Sequence, residues 1–175
     1  KFMGEIFDGD SDKETKIRCV LEAIGYSLTT DTKYEKFIML IGNGANGKSV
    51  LLSILESLVG SKLVSAVQPS QFDNRFQRAH LAGKLINIVT EIAESAEIAD
   101  AQLKAIVSGE LTTAEHKLKP SFDFNPYATC WFGTNHMPHT RDFSEALFRR
   151  AIILKFNNKF NEGSAKCDPD LKEKL

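Results

Sequence analysis

Gly42-Asn43-Gly44-Ala45-Asn46-Gly47-Lys48-Ser49 completes the pattern G-x-x-x-x-G-K-[ST]. It follows Phe37-Ile38-Met39-Leu40-Ile41, an unbroken apolar run of the length of a buried strand. Behind it, Val50 to Leu58 carries apolar residues at helical spacing. Strand, glycine-rich turn and helix in that order are the context that separates a phosphate cradle from a chance turn. The residue types fit one chemistry. Glycines let successive backbone N–H groups curl around a phosphate, Lys48 brings a point charge to the β/γ oxygens, and Ser49 offers a hydroxyl to Mg²⁺. Residues 42–50, Gly42 through Val50, are therefore the expected nucleotide-contacting stretch.

With 175 residues, 42% hydrophobic and 26% charged, the chain has the size and composition of one α/β domain with an adequate core. No apolar run approaches the ~20 residues needed to span a bilayer. The sequence opens on Lys1 without a charged-then-apolar leader, which reads as a piece of a longer, cytoplasmic protein. Cys19, Cys130 and Cys167 are odd in number, widely spaced and form no C-x-x-C pair, which argues against a disulfide framework and a thiolate zinc site. His136 and His139 sit three apart, but Pro138 spoils a shared helical face, so they read as loop residues. A formal net charge of −1 means that any nucleic-acid contact must be local.

Along the chain, Ile17, Val20, Leu21, Ile24 and Leu28 predict a helix with that face toward the core, preceded by Phe2, Ile6, Phe7 and a polar turn at Asp8 to Asp12. Residues 1–33 thus read as an N-terminal helical segment, the edge of a helical subdomain lying upstream. From Tyr34, strands and helices alternate through a core expected to run to residue 160, with 161–175 as a truncated tail. Gln71 to Leu81 predicts a short helix, and Lys84 to Glu91 a second buried strand. Asp100 is placed to cap a helix carrying Leu103, Ile106 and Val107 that stops at Gly109, where a turn follows. Phe122-Asp123-Phe124 predicts a short exposed strand, Tyr127 to Thr134 a third buried one, and Ile152 to Phe156 a fourth. The whole predicts a central, mostly parallel sheet flanked by helices.

Hydrolysis would need more than a phosphate loop: a carboxylate on the metal side, a group to orient water, and positive charge for the transition state. Glu91, ending the second strand, is the candidate acid, with Glu94 and Glu97 in reserve. Asn135, leaving the third strand in Gly133-Thr134-Asn135-His136-Met137-Pro138, is the candidate polar reader of the γ-phosphate or its water. Arg149-Arg150, just before the last strand, supply the charge.

Taken together, the phosphate loop, residues 81–91, Leu103 to Glu110 with Glu115 to Lys119 and Phe122 to Phe124, the block 133–138, and Phe148-Arg149-Arg150 closely resemble superfamily III helicases. The nearest branch looks like the phage and plasmid primase-helicases and their poxvirus-type relatives. The resemblance implies an AAA+-like P-loop ATPase that binds ATP and Mg²⁺ and forms a ring, usually a hexamer, with ATP between subunits. DNA, single-stranded or forked, would pass through the centre. It implies Gly42, Gly47, Lys48 and Ser49 as Walker A, Glu91 as the Walker B acid, Asn135 as the sensor, and Arg149 or Arg150 as an arginine finger for a neighbour's ATP. Lys117 and Lys119, with His116, become DNA contacts on a pore hairpin, and Ser49 and Glu91 the metal-side residues. A primase domain is implied upstream.

The chain departs from the family where many members carry Gly-Asp instead of Gly109-Glu110 and arginine instead of His116. Thr90, not an acid, precedes Glu91, so Glu91 could be metal ligand or general base. Two other classes remain open on the residues. A P-loop small-molecule kinase would need an arginine-bearing lid, which is not evident after the fourth strand. A nucleotide-binding assembly module without hydrolysis would not need Lys48, Ser49, Glu91, Asn135 and the arginines together.

Overall fold

The structure, a computed structural model, describes residues 1–93, 96–137, 145–161 and 171–174. Glu94, Pro138, His139 and Cys167 lie outside the described residues. Helices α1 (Phe2–Ile6) and α2 (Lys13–Ser27) precede strand β1 (Phe37–Ile41), and the glycine-rich loop runs into α3 (Lys48–Val59). Then come β2 (Val64–Ser65), a 3₁₀ turn at Pro69–Gln71, α4 (Arg75–Arg78), a second 3₁₀ turn at Ala79–Leu81, β3 (Ile86–Val89) and α5 (Asp100–Val107). Strands β4 (Thr112–Glu115), β5 (Ser121–Phe124) and β6 (Thr129–Thr134), helix α6 (Glu145–Phe148), β7 (Ala151–Lys155) and α7 (Leu171–Lys174) complete the described elements.

Five parallel strands form the central sheet in the order β2-β3-β6-β1-β7, while β4 and β5 pair antiparallel as a separate hairpin. This is the flanked parallel α/β sheet that the alternating apolar runs predict. Strand β1 lies between β6 and β7, so the chain crosses to opposite sides of it. That reversal opens a crevice at the carboxyl ends of the strands, where open α/β sheets bind ligands.

Alternation along β1 divides the core. Phe37 and Met39 join Phe72, Phe132, Leu103 and Ile106 on one face. Ile38 and Leu40 join Trp131 and the Leu51, Leu52 and Leu55 row of α3 on the other. The N-terminal helices pack on this second face, with Ile6 and Phe7 fully buried and the Phe7 ring 5.0 Å from that of Phe156. Among the described residues no helix is long and apolar enough to cross a membrane. Cys130 sits inside β6, where burial pushes its thiol up to about 12 and leaves it unreactive.

Helix α2 presents a different face from the one its leucines predict. Leu21 is 56% exposed and Leu28 is also exposed, while Lys16, Val20, Ala23 and Ser27 are buried. Two polar requirements decide this. Fully buried Trp131 needs an acceptor for its indole N–H and finds Ser27 Oγ at 2.9 Å, and Ser27 in turn donates to the Ala23 carbonyl at 2.7 Å. Lys16 sets its ammonium 5.6 Å from the centre of the Phe7 ring and pairs with Asp10 at 2.6 Å and Asp12 at 3.2 Å.

Three further differences are local. Ala99, not Asp100, occupies the N-cap of α5, and Asp100 begins the helix, where its charge favours the N-terminus. Strand β2 arises within a stretch that reads as polar, because buried Asn87 on β3 accepts from Val67 N (2.8 Å) and Ser65 Oγ (2.9 Å) and donates to the Val67 carbonyl (2.9 Å). Strand β4 occupies a stretch that reads as a turn, formed by pairing Thr112–Glu115 with Ser121–Phe124.

Ser27→Ala leaves a buried indole N–H unsatisfied and is expected to destabilise the fold by about 1–3 kcal/mol. Trp131 is the single tryptophan, so urea unfolding followed by its fluorescence reads the change directly. An unchanged midpoint would remove the account of why α2 turns this face inward.

Candidate functional site

Four strands deliver the predicted residues to one edge. Strand β1 ends in the loop, β3 leads through Thr90 to Glu91, β6 leads to Asn135, and β7 leads to Phe156. Gly42 N–H donates to the Thr134 carbonyl at 3.2 Å, and Ile92 N–H to the Gly133 carbonyl at 2.9 Å, so loop and acid are both tied to β6. A Cβ on Gly133 would strike the backbone carbonyl of Thr90. Glycine there lets β6 close on the segment bearing Glu91. Gly47 stands at φ +88 with Ile6 Cγ2 only 2.7 Å from where its Cβ would be, so a side chain is excluded by conformation and space alike.

Lys48 is 6% exposed. Its ammonium donates to the Gly42 carbonyl, to Asn46 Oδ1 at 3.2 Å and to Asn135 Oδ1 at 3.4 Å. Asn135 Nδ2 donates in turn to Glu91 Oε1 at 3.3 Å. Lys48, Asn135 and Glu91 thus form one hydrogen-bonded row across β1, β6 and β3. Burial lowers the Lys48 pKa, against the opposing pull of Glu91. A desolvated cation with so little counter-charge, beside the N-terminus of a 12-residue helix, favours an incoming anion. Ser49, next to Lys48, and Glu91, at the end of the row, are exposed, and Val50 is half-buried at the start of α3. The residues therefore fit a nucleotide phosphate and its metal, with Ser49 and Glu91 as the oxygen donors.

Asn46 has a larger part than loop membership suggests. It is 3% exposed, its Oδ1 holds the Lys48 ammonium, and its buried Nδ2 lacks a partner among the described residues. Gln68, which sequence reasoning passes over, donates to the Glu91 carbonyl at 3.3 Å. The segment after β7 is also part of the site. Phe160 N–H donates to the Ala45 carbonyl at 2.6 Å, and Gly42, Asn43 and Gly44 share a cavity of about 420 Å³ with Lys155 to Lys159. Glu97 lines a different cavity, with Asp73 and Asp100.

The arginines lie elsewhere. Phe37 N–H donates to the Arg150 carbonyl at 3.0 Å, and the Lys36 ammonium to the Arg149 carbonyl, which puts both at the amino ends of β1 and β7. Arg150 pairs with Glu35 at 2.6 Å and donates to Ser108 Oγ at 3.3 Å, whereas Arg149 is exposed. His116, Lys117 and Lys119 occupy the exposed tip of the β4–β5 hairpin. The tip is closed by Lys119 N–H donating to the His116 carbonyl at 3.0 Å, and the His116 ring stacks on Phe122 at 5.3 Å.

Fold and site together define an α/β domain with a central parallel sheet built around a phosphate loop. Residues 40–150 match a family of unknown function, DUF5906, and the chain belongs to that family. It is 25% identical over 163 residues to "Putative helicase L207/L206" of Acanthamoeba polyphaga mimivirus, covering 89% of this chain and 17% of the relative. To "Putative helicase 121R" of Invertebrate iridescent virus 3 it is 26% identical over 130 residues, covering 68% of this chain and 14% of the relative. The chain thus spans less than a fifth of the curated relatives it matches. Among solved structures it superimposes on the NrS-1 C-terminal region with a TM-score of 0.74 at 16% identity, over 99% of this chain and 40% of that one. It superimposes on JCV Helicase, solved with a bound small molecule, with a TM-score of 0.58 at 13% identity, over 89% of this chain and 43% of that one. At these identities the structural likeness establishes the fold.

The lowered Lys48 pKa has a measurable consequence. Between its folded and unfolded values the native state holds fewer protons, so stability rises with pH across that alkaline window. An anion in the loop favours the charged lysine and raises its pKa again. Binding of sulfate, an anion that does not itself titrate near neutral or alkaline pH, followed calorimetrically in buffers of different ionisation enthalpy, is therefore expected to take up protons within that window. Buffer-independent binding throughout the window would show that the anion does not meet Lys48.

Proposed function

We propose that this chain is the ATPase domain of a ring-forming DNA helicase of the superfamily III type, acting in the replication of a phage, plasmid or large DNA virus. The observation that carries the reading is the split between the two edges of the sheet. Lys48, Asn135 and Glu91 form their row at the carboxyl ends, and the Arg149-Arg150 pair sits at the amino ends. Five-residue β1 separates them by roughly 13 Å at about 3.3 Å per residue. An arginine so placed cannot meet a phosphate held by its own loop and is available to a neighbouring subunit's. Arg150 is occupied by Glu35 and Ser108, so Arg149 is the finger in this reading.

ATP is the substrate, and Mg²⁺ held by Ser49 and Glu91 would neutralise charge on its phosphates. Lys48 supplies fixed positive charge inside a buried site, where it is worth more than in water. Asn135 contacts Lys48 and Glu91 at once, and so suits a sensor that responds to what the loop holds. Glu91, exposed at the end of that row, orients or deprotonates the attacking water. The cavity beside Asn43 and Gly44 accommodates the nucleoside. Lys117 and Lys119 on the hairpin tip, with His116 stacked behind them, would contact single-stranded DNA by charge and stacking. In this reading residues 1–33 adjoin a further helical subdomain, 34–160 form the motor core, and a primase domain lies upstream in the full protein.

Arg149→Ala is expected to lower ATP turnover on the order of 10³-fold, as loss of an arginine finger does elsewhere. Mixing it with equally inactive Lys48→Ala restores turnover, because some interfaces then pair an intact loop with an intact arginine. Two inactive proteins that stay inactive when mixed would contradict a shared site. Lys117→Ala with Lys119→Ala should flatten the salt dependence of single-strand binding by a log–log slope of about 0.7 for each phosphate that is no longer neutralised. An unaltered slope would move the DNA site elsewhere.

A further inference from the structure

The hairpin is tied to the rest of the domain by a residue that neither the loop nor the hairpin motif includes. Arg78, at the end of α4, donates Nη1 to the carbonyls of Phe72 (2.8 Å) and Asp73 (3.0 Å). Its Nε and Nη2 both donate to the carbonyl of Thr113 on β4, at 3.1 and 2.9 Å. A planar guanidinium is needed for this. Its fixed fork holds two backbone segments at once, whereas an ammonium is a single point with no such geometry. One turn away, Arg75 Nε pairs with Glu115 Oε2 at 3.0 Å, at the last residue of β4 before the tip. Asn74 begins α4 by accepting from Phe76 N–H at 2.9 Å, which fixes the helix that presents both arginines.

The other side of the same segment meets the nucleotide row. Gln68 donates to the Glu91 carbonyl, and Phe72 is fully buried with its ring 6.4 Å from Phe132, three residues before Asn135. Residues 68–78 therefore touch the acid's backbone and the sensor strand at one end and the hairpin at the other. We propose that this segment is the strap through which the nucleotide site sets the hairpin's position, with Arg78 as its positioning residue. The proposal rests on the helicase reading of the hairpin and adds the element that links it to ATP turnover. Arg78 touches neither nucleotide nor DNA, and its effect is on how the two sites communicate.

The test compares Arg78→Ala, Arg78→Lys and Arg75→Ala in the intact protein, each checked by thermal melting, for basal ATPase, single-strand affinity and DNA-stimulated ATPase. In Arg78→Ala, basal turnover and DNA affinity are expected to hold while stimulation by DNA falls about tenfold, within the usual range of coupling between sites. Arg78→Lys keeps the charge and should not rescue it. Arg75→Ala, at a largely exposed side chain, should lose stimulation to a smaller extent. Full stimulation in Arg78→Ala, or equal losses of basal and stimulated rates, would overturn the proposal and leave Arg78 a plain structural residue. Should Arg78→Ala fail to fold, wild-type stimulation in both Arg78→Lys and Arg75→Ala would overturn it, and reduced stimulation in either at unchanged basal rate would support it. The Lys117→Ala, Lys119→Ala double variant separates the two levels. If it retains full DNA affinity, the hairpin reading itself fails, whatever Arg78 does.

Discussion

A lysine ammonium removed from water, with Glu91 as its answering carboxylate among the described residues, organises the carboxyl edge of this sheet. Lys48 is held by a loop carbonyl and by the amide oxygens of Asn46 and Asn135, and Asn135 passes the connection to Glu91. Every acceptor is polar but uncharged until Glu91 is reached. The cation is thereby kept in place without being fully neutralised, which is the condition under which a phosphate binds most favourably. Much of the surrounding packing serves this geometry. Bare Gly133 brings β6 against Thr90, and bare Gly47 allows the loop to settle on Ile6.

The same requirement explains why the N-terminal helices belong to the core. The loop rests on α1, and the segment after β7 binds both. Asn158 Nδ2 donates to the carbonyls of Glu5, Ile6 and Asp8 at 3.3, 3.2 and 2.8 Å, and Asn157 Nδ2 to Asp10 Oδ1 at 2.9 Å. The Asn158 amide thus meets backbone carbonyls around the end of α1, and the Asn157 amide a carboxylate in the turn that follows. A short polar segment thus joins the beginning of the chain, the phosphate loop and the last sheet strand. The loop is supported from beneath and from the side, while its outer surface stays open.

How far the sequence discloses this depends on whether an element is defined by its own residues or by a partner. The loop and β1 were legible because a continuous apolar run and the glycine-lysine-serine pattern are local signals. The strands carrying Glu91 and Asn135 were legible for the same reason, although the spacing of residues says nothing of the hydrogen bond between the two side chains. The inward face of α2 was not legible, because it answers to Trp131, 104 residues away. Strand β2 is not legible either, and strand β4 is legible only through the hairpin that the family resemblance implies, not from its own residues. One is held by the buried amide of Asn87, the other by its antiparallel partner and by Arg78, and neither carries an apolar run. The opposite placement of Arg149 and the loop followed from the parallel pairing of β1 with β7, which periodicity does not report.

Everything functional in this account turns on the site being completed by a second copy of the chain. The most direct measurement is the mass of the intact protein in solution, by sedimentation or light scattering, with and without a non-hydrolysable ATP analogue and single-stranded DNA. A discrete multimer that forms or tightens when both are added is the predicted result. A protein that remains monomeric under every condition while hydrolysing ATP at full rate would contradict it.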